Sequence, residues 1–269
     1  MLYRPKDIGL WDTTLVQFDG VYHLFHLSGG SRLGHAVSRD LAHWERRPDI
    51  EIDRRAGGWE EEHFLTGDIG IHEGRYFMFG GGLNAEKESV YGLFWSDDLD
   101  TWKADERNPV LSADGEIYFK GVSSLHPMHT AWRDPKLWKE GEVYHALMCA
   151  RRPSWDHTTT GAVVGHVTSR DLVNWEYHEP LAHVGDRLIF AEVPGRFEIN
   201  GRHYIHFLDL AWGGAHNHTP AREDATGTFY LYSESKDGPY RWPEDPLLLG
   251  GSGNRMRLWA TRVFEHEHG

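Results

Sequence analysis

The feature that most constrains the fold of this chain is a short unit that recurs four times along it. Residues 38–44, 96–102 and 169–175 each begin with Ser, carry Asp-Leu at the third and fourth positions and end with Trp. A looser copy with one inserted residue occupies residues 235–242. Internal repetition is the signature of folds built from copies of one supersecondary unit. We expect this unit to form a tight turn, with its tryptophan packed between copies.

A second repeated feature lies upstream of each of these units. A glycine preceded by Asp, Glu or Asn is followed by an apolar stretch that contains a tyrosine, and this occurs at Gly20, Gly74, Gly141 and Gly201. An acidic residue or Asn before Gly, between apolar runs, is the strongest short hairpin signal. Together with the Ser-to-Trp turn, each repeat predicts a four-stranded antiparallel sheet.

Repeated four-stranded sheets are typical of β-propellers, in which few strand edges are exposed. Four sheets are complete, and a further first strand is predicted over residues 258–264, shortly before the chain ends at Gly269. The sequence therefore predicts an all-β, five-bladed β-propeller whose fifth blade is incomplete, as a single catalytic domain over residues 1–269. An open blade would expose unpaired backbone groups, so we expect a homo-oligomer that covers it.

The charge balance narrows the class of partner. Asp and Glu number 41 against 28 Lys and Arg, which gives a formal net charge of −13. Such a surface repels phosphate groups, so neither nucleic acid nor an anionic membrane is an expected partner. Aromatic residues make up 13% of the chain and provide surfaces on which a sugar can stack. A small neutral carbohydrate is the expected ligand.

Cysteine and histidine usage predicts no metal and no other cofactor. Cys149 is the only cysteine, and its apolar neighbours indicate a buried strand rather than an activated thiol. His216 and His218 form a His-x-His pair without a third placed ligand, which is a weak metal signal. The N-terminus lacks the apolar segment of a secretory signal, so a cytoplasmic location is expected.

Four carboxylates stand at similar places in the predicted blades. Asp12, Asp68, Asp134 and Glu192 lie six to nine residues before the four turn glycines, at the starts of first strands that line the centre of a propeller. Like charges that converge repel one another unless they bind a cation or perform acid–base chemistry. Two carboxylates that flank a bond are the minimum for glycoside hydrolysis.

Aromatic and basic residues accompany these acids. Trp11 and Trp132 lie at or near the starts of first strands and are candidates for stacking on a sugar, with packing between blades as the alternative. Asp68 and Arg133 are candidates for holding substrate hydroxyls. For Arg133 the alternative is an ion pair that supports the fold.

Several motifs resemble glycoside hydrolase family 32, the invertases, inulinases and levanases. Residues 33–45 are similar to the corresponding segment of that family, Arg133-Asp134-Pro135 matches its Arg-Asp-Pro motif, and Glu192-Val193-Pro194 resembles its Glu-Cys-Pro motif. The resemblance implies a five-bladed propeller with a deep axial pocket. It also implies that Asp134 holds sugar hydroxyls and stabilises the transition state, that Glu192 is the general acid, and that the substrate is a furanoside or a related small glycoside.

Asp12 departs from the family pattern. The family places its nucleophile in an Asn-Asp-Pro-Asn-Gly segment, whereas this chain reads Trp11-Asp12-Thr13-Thr14. That arrangement is closer to glycoside hydrolase family 43, the arabinofuranosidases and xylosidases, in which the first-blade Asp is a general base and the reaction inverts. The leading hypothesis is a glycoside hydrolase with Asp12, Asp134 and Glu192 as its catalytic residues. An inverting enzyme of the family 43 kind and a non-catalytic carbohydrate-binding propeller are the alternatives.

Overall fold

The computed structural model describes residues 3, 5, 10–28, 32–53, 58–59, 65–121, 132–153, 161–185, 188, 190–209, 225–252 and 261–264. Across these ranges the regular secondary structure consists of eighteen β-strands and no helix. The predicted all-β class, with four-stranded antiparallel sheets as propeller blades, is confirmed. The chain divides into two compact units, Met1–Leu111 and Ser112–Gly269.

The first unit contains two sheets, called here the first and second blades. The first blade runs in chain order through β1 (Trp11–Phe18), β2 (Val21–Leu27), β3 (Leu33–Ser38) and β4 (Trp44–Arg46). The second blade runs through β6 (Leu65–His72), β7 (Arg75–Leu83), β8 (Ser89–Ser96) and β9 (Thr101–Ala104). Two short strands extend it: β5 (Glu51–Asp53) lies parallel to β9, and β10 (Leu111–Ser112) pairs with β8.

The second unit contains the third and fourth blades. The third runs through β11 (Arg133–Glu140), β12 (Val143–Arg151), β13 (Ala162–Ser169) and β14 (Trp175–His183). The fourth runs through β15 (Glu192–Ile199), β16 (Arg202–Asp209), β17 (Ala225–Ser233) and β18 (Leu247–Ser252). Each unit has an apolar core of its own. Phe25, Phe94 and Trp102 are buried in the first, and Leu147 and Phe207 in the second.

The hairpins between first and second strands turn where the glycines predict. Gly20, Gly74, Gly141 and Gly201 have φ between +58° and +80°, a left-handed conformation that glycine adopts without steric cost. A Cβ at any of these four would meet no atom within 4 Å, so the requirement is for backbone conformation rather than space. The acidic-or-Asn-before-Gly signal therefore identifies all four turns correctly.

The Ser-to-Trp units are structural turns, as predicted. Asp40, Asp98 and Asp171 each accept hydrogen bonds of 2.7–2.9 Å from two backbone amides two and three residues ahead. The following leucines have φ between +60° and +68°, and the closing tryptophans donate from the indole Nε1 to those leucine carbonyls over 3.0–3.1 Å. Since each polar group in the turn finds a local partner, the motif can recur in different blades.

The aspartate of this turn is expected to contribute measurably to stability. Backbone amides of Thr101 and Asp100 hold the pKa of Asp98 below its usual range. Asp98→Ala removes Oδ1, which accepts both of these hydrogen bonds, and is expected to cost about 1–2 kcal/mol, as loss of a capping side chain does. Urea unfolding measures this change. The control is Asp97→Ala next door, whose exposed ion pair with Arg75 (3.1 Å) contributes about 1 kcal/mol at most. Equal losses for the two variants would contradict the capping role.

Buried histidines make the fold sensitive to acid. Burial lowers the pKa of His35 and of His166 to about 4 and that of His206 to about 3. The unfolded chain binds these protons near pH 6.5 and the folded chain does not. The free energy of unfolding therefore has its full value above pH 6.5 and decreases as the pH is lowered from there. We expect each histidine to lower the free energy of unfolding by at most about 1.4 kcal/mol for each pH unit below 6.5.

Urea unfolding at pH 7.5, 6.5 and 5.5 tests this dependence. Replacing His35 with Leu, the residue that the second blade carries at the equivalent Leu93, should reduce the slope of stability against pH. An unchanged slope would show that His35 takes up its proton equally well in the folded and unfolded chain.

The predicted fifth blade has no strand among the described residues. Residues 258–260 of the predicted strand lie outside the described ranges, and residues 261–264 are described but form no strand. That last segment contacts the fourth blade. Thr228 Oγ1 donates to Thr261 Oγ1 over 2.9 Å, and Arg262 Nη1 donates to the Pro194 carbonyl over 3.1 Å. The incomplete fifth blade, its oligomeric cover and the single-domain assignment stay predictions.

Candidate active site

A β-bulge opens the first strand of every described blade. Trp11, Leu65, Arg133 and Glu192 each pair with a residue sixteen positions later, and the register then shifts within the next three residues. A bulge inserts an extra residue and redirects the side chains beside it, which is why bulges are frequent next to active sites. Four strands of different sequence thus present their first residues in the same way.

The shared register defines which predicted site residues are equivalent. Asp12 and Asp134 occupy the second position of their strands, whereas Glu192 occupies the first, as Trp11 and Arg133 do. Asp68 lies beyond the bulge, at the position that Lys136 holds in β11. The turn glycines group the four acids only within a range of six to nine residues, and strand pairing divides that range into three different positions.

Backbone conformation at the bulges is unusual. Asp12, Asp134 and Val193 have φ of 32°, 56° and 49°, in or near the left-handed region that non-glycine residues rarely occupy. Pro135 and Pro194 follow the last two of these residues. Proline lacks an amide proton and is tolerated where the ladder of hydrogen bonds is interrupted. The Asp-Pro and Val-Pro pairs therefore suit the bulge.

The second unit brings three predicted site residues into direct contact. Arg133 Nη2 donates to Glu192 Oε1 over 2.5 Å, and Arg133 Nε lies 3.4 Å from Asp134 Oδ2. The Val193 amide also donates to Asp134 Oδ2 over 3.2 Å. The three side chains are 8–14% exposed. One guanidinium therefore bridges two nearly buried carboxylates, and this arrangement offsets their mutual repulsion.

Aromatic and basic groups surround this cluster. The guanidinium carbons of Arg133 and Arg151 lie 4.7 and 4.3 Å from the centre of the Phe190 ring. Burial lowers the pKa of Arg151 to about 10. Burial also acts to lower the pKa of Arg133, but the electrostatic effects of Cys149, Glu192 and Asp134 are larger, so the pKa of Arg133 is raised. Two cations on one ring form a positively charged environment for the carboxylates.

Cys149 has the predicted place in a buried strand. It lies in β12 at 2% exposure, and burial raises the pKa of its thiol to about 11. A thiol that remains protonated at neutral pH is a poor nucleophile. This cysteine therefore belongs to the packing of the third blade.

Trp132 packs inside the protein. It is 2% exposed, and its ring lies 4.9 Å from that of Tyr118 and 6.3 Å from that of Tyr177. These contacts agree with packing, the alternative to sugar stacking for Trp132, and they leave the ring no exposed face for a sugar. Trp11 differs, since it is 59% exposed at the first position of β1.

The other predicted site residues lie in the first unit. Asp12 follows Trp11 and is partly buried. Asp68 is 3% exposed and accepts a hydrogen bond from the Ile69 amide over 3.1 Å. The adjacent Gly67 carbonyl accepts from Thr14 Oγ1 over 3.0 Å, which ties β6 to β1. Asp68 thus occupies a buried position on β6, next to the residue that contacts β1.

Three residues beside the carboxylates were not predicted from sequence. Arg151 and Phe190 flank Arg133, and the charge of the fully buried Asp209 partly opposes the lowering of the Arg151 pKa by burial. A signal was present for two of them: Arg151 and Asp209 are charged residues at the ends of buried second strands, β12 and β16. Charged side chains are rarely buried unless they are paired, so such positions indicate a functional or ionic cluster.

In the described ranges no group of three or more His, Cys, Asp or Glu side chains could hold a metal ion. No helix in the same ranges is long and apolar enough to cross a membrane. His216 and His218 lie outside those ranges.

Carboxylates at the starts of the first strands of propeller blades define a class of carbohydrate-active proteins. Comparison with known sequences identifies the family within that class. The family model described as the glycosyl hydrolases family 32 N-terminal domain matches residues 12–239. The chain belongs to this family.

Individual relatives agree with that assignment. A levanase from Bacillus sp. (strain L7) is 33% identical over 173 residues, which cover 60% of this chain and 17% of the levanase. A sucrose-6-phosphate hydrolase from Escherichia coli is 27% identical over 210 residues, covering 72% of this chain and 39% of that protein. The chain thus spans less than half the length of these curated relatives.

A solved structure shows the same fold. A levansucrase from B. megaterium superposes with a TM-score of 0.74 at 13% identity, over 93% of this chain and 72% of that one. Identity at this level is evidence for the fold alone.

Proposed function

We propose that this protein is a glycosidase that hydrolyses fructofuranosides, with Asp12, Asp134 and Glu192 as its catalytic carboxylates. The observation that carries the proposal is the buried contact of Glu192 with Arg133, which also contacts Asp134. Membership of glycosyl hydrolases family 32 supports the reaction class. The fructoside substrate is supported by the names of the relatives, a levanase and sucrose-6-phosphate hydrolases.

In this mechanism Glu192 is the proton donor. Its carboxylic acid protonates the oxygen of the leaving group as the glycosidic bond breaks, and positive charge develops on the fructosyl ring. The Asp12 carboxylate attacks the anomeric carbon and forms a covalent fructosyl-enzyme intermediate. Glu192, now ionised, removes a proton from water, whose oxygen displaces Asp12 and releases fructose.

Asp134 is proposed to hold sugar hydroxyls and to stabilise the transition state. Its Oδ2 is oriented by the Val193 amide and by Arg133, so a carboxylate oxygen is held in place before substrate arrives. Fixed charges of this kind need no rearrangement when the transition state forms. Arg133 positions both carboxylates and contributes to binding of substrate hydroxyls.

Trp11 and Asp68 are proposed to assist binding. The exposed ring of Trp11, next to Asp12, can stack on the apolar face of a sugar. Asp68 is almost fully buried. Its contribution is either to accept a hydrogen bond from a sugar hydroxyl or to hold β6 in place.

A substrate panel tests the proposal directly. Sucrose, levan and inulin are incubated with the protein beside nitrophenyl arabinofuranoside and xylopyranoside, and released sugars are quantified. Release of fructose from any of the first three supports the fructosidase. Activity confined to the aryl pentosides would instead favour the family 43 alternative, and binding without turnover of any substrate would favour a non-catalytic propeller.

Proton NMR of the first product separates the two hydrolytic mechanisms. A nucleophilic Asp12 predicts that the sugar is released with its anomeric configuration retained. An inverted product would show that Asp12 acts as a general base on water.

A small carbohydrate is the proposed substrate. A cytoplasmic location and a homo-oligomer that covers the fifth blade stay predictions. Light scattering at low micromolar concentration tests the oligomer, and a stable monomer would contradict it.

A further inference from the structure

A cleft of about 590 Å³ opens in the first unit at the turn end of the first blade. Its lining includes Val21, His23, His35, Trp44 and Arg47. Val21 begins β2, directly after the turn that ends β1, whereas Asp12 lies at the opposite end of β1. At about 3.3 Å per residue these two ends are about 20 Å apart, so the cleft is distinct from the place of Asp12.

A chain of polar contacts runs along the lining of this cleft. Arg47 Nη2 lies 3.3 Å from Asp100 Oδ2, and Asp100 Oδ1 lies 3.4 Å from Nδ1 of His35, which is 2% exposed. The other ring nitrogen of His35, Nε2, is 3.0 Å from His23 Nδ1. His23 is only half-buried and ends the chain of contacts at the cleft.

The contacts favour one arrangement of protons on the two histidine rings. Burial lowers the pKa of His35 to about 4, so this ring carries a single proton at neutral pH. Among the described residues neither His35 Nδ1 nor Asp100 Oδ1 makes a hydrogen bond, and in their 3.4 Å contact two facing lone pairs would repel. This repulsion favours the tautomer with the proton on Nδ1, towards Asp100. His35 Nε2 is then an acceptor, His23 Nδ1 is its donor, and His23 Nε2 carries a lone pair.

The charges around the cleft select the class of ligand. Four carboxylates line it (Asp40, Glu45, Asp98 and Asp100) against the two guanidinium groups of Arg39 and Arg47. This excess of negative charge disfavours an anion. A neutral polyhydroxylated ligand matches the lining. Carboxylates and the His23 lone pair accept hydrogen bonds from hydroxyl groups, and guanidinium groups donate hydrogen bonds to hydroxyl oxygens. The half-buried Trp44 ring, whose Nε1 already donates to Leu41, provides an apolar surface for stacking.

We propose that this cleft is a second carbohydrate-binding site, which holds a sugar unit away from the Asp12 end of the first blade. His23 Nε2 accepts a hydrogen bond from a sugar hydroxyl, and Trp44 stacks against the sugar ring. The choice of fructose as that sugar rests on the proposed function; the cleft and its proton arrangement do not. A site of this kind would keep a long substrate attached while the catalytic carboxylates act on another part of it.

The third blade provides a matched control. His145 and His166 stand at the positions of His23 and His35, and His145 Nδ1 lies 3.0 Å from His166 Nε2. The His145 ring stacks on Trp138 at 4.9 Å, and no described carboxylate lies within ion-pair distance of either ring. His145→Phe therefore removes an equivalent histidine pair without altering the cleft.

Binding of the trisaccharide kestose and retardation in native gels that contain levan test the proposal. Each of Trp44→Ala and His23→Phe is expected to weaken retardation about fivefold to tenfold, as loss of a hydrogen bond or a stacked ring does. His145→Phe is expected to leave retardation unchanged, and all three variants should retain turnover of sucrose. Long-range proton–nitrogen NMR should show an unprotonated His23 Nε2, whose resonance moves when kestose is added.

The outcomes are distinguishable. Unchanged retardation in both cleft variants overturns the proposal, and so does an equal loss in His145→Phe. Binding of spermidine in place of kestose at His23 overturns it in favour of an organic cation. If the protein hydrolyses no fructoside, the same variants are tested against immobilised glucan, xylan and arabinan, so the cleft is judged independently of the proposed enzyme. Loss of binding to one of these in the cleft variants alone supports the site.

Discussion

Glu192→Gln is expected to lower the turnover of sucrose about 10²–10⁴-fold, the usual contribution of a general acid–base group. The amide keeps the shape of the side chain and can still accept a hydrogen bond from Arg133, which lies 2.5 Å away in the native protein. It cannot donate a titratable proton to the leaving oxygen. Steady-state kinetics on sucrose measures the effect.

The control for this variant lies on the same strand. Glu198 is also in β15, but its side chain is 54% exposed, so Glu198→Gln should keep nearly full turnover. An aryl fructoside with a weakly basic leaving group needs little protonation and should lose far less activity than sucrose in Glu192→Gln. Near-native turnover of sucrose by Glu192→Gln would show that Glu192 is not the acid.

Arg133→Met is expected to destabilise the protein by about 3–5 kcal/mol, the effect of removing one partner from a buried ion pair. The variant leaves Asp134 and Glu192 nearly buried, with the charge that bridged them gone. Urea unfolding at pH 7 measures the loss. As a control, Arg152→Met breaks the exposed Arg152–Glu179 ion pair in the same unit and should cost about 1 kcal/mol at most.

A second substitution separates charge from packing. If repulsion between the carboxylates causes the loss, Asp134→Asn in the Arg133→Met background should restore part of the stability, although Asp134→Asn alone destabilises the native protein. Strictly additive losses in the double variant would assign the effect of Arg133→Met to lost packing on Phe190 instead.

The repeated parts of the fold were predictable because their signals are local. A turn glycine needs positive φ, and the aspartate of the Ser-to-Trp turn bonds to amides two and three residues ahead, so both features are visible in a few consecutive residues. The same holds for the residue types at the candidate site. Arg133, Asp134 and Glu192 were found by motif, and the structure places them in contact.

What the sequence did not predict depends on contacts between distant residues. Asp68 lies two positions further along its strand than Asp134 does, and the register that shows this is set by strand pairing. Burial of Trp132 results from packing against Tyr118. The contacts of Phe190 with two arginines and of His35 with Asp100 likewise join residues that no spacing rule connects.

The parallel pairing of β5 with β9 has a consequence for how the first unit unfolds. The segment that leaves the first blade adds a strand to the outer edge of the second, with Ile52 opposite Trp102 and the Glu51 amide bonded to the Asp100 carbonyl at 3.2 Å. The residues just before β5 are bonded to the first blade, since the Ile50 amide donates to the Leu33 carbonyl over 2.9 Å, so this segment is held by both blades and couples their opening. Amide protons of β5 and β9 should therefore exchange with solvent as one cooperative group, which makes the pair of blades the smallest unit that opens by itself.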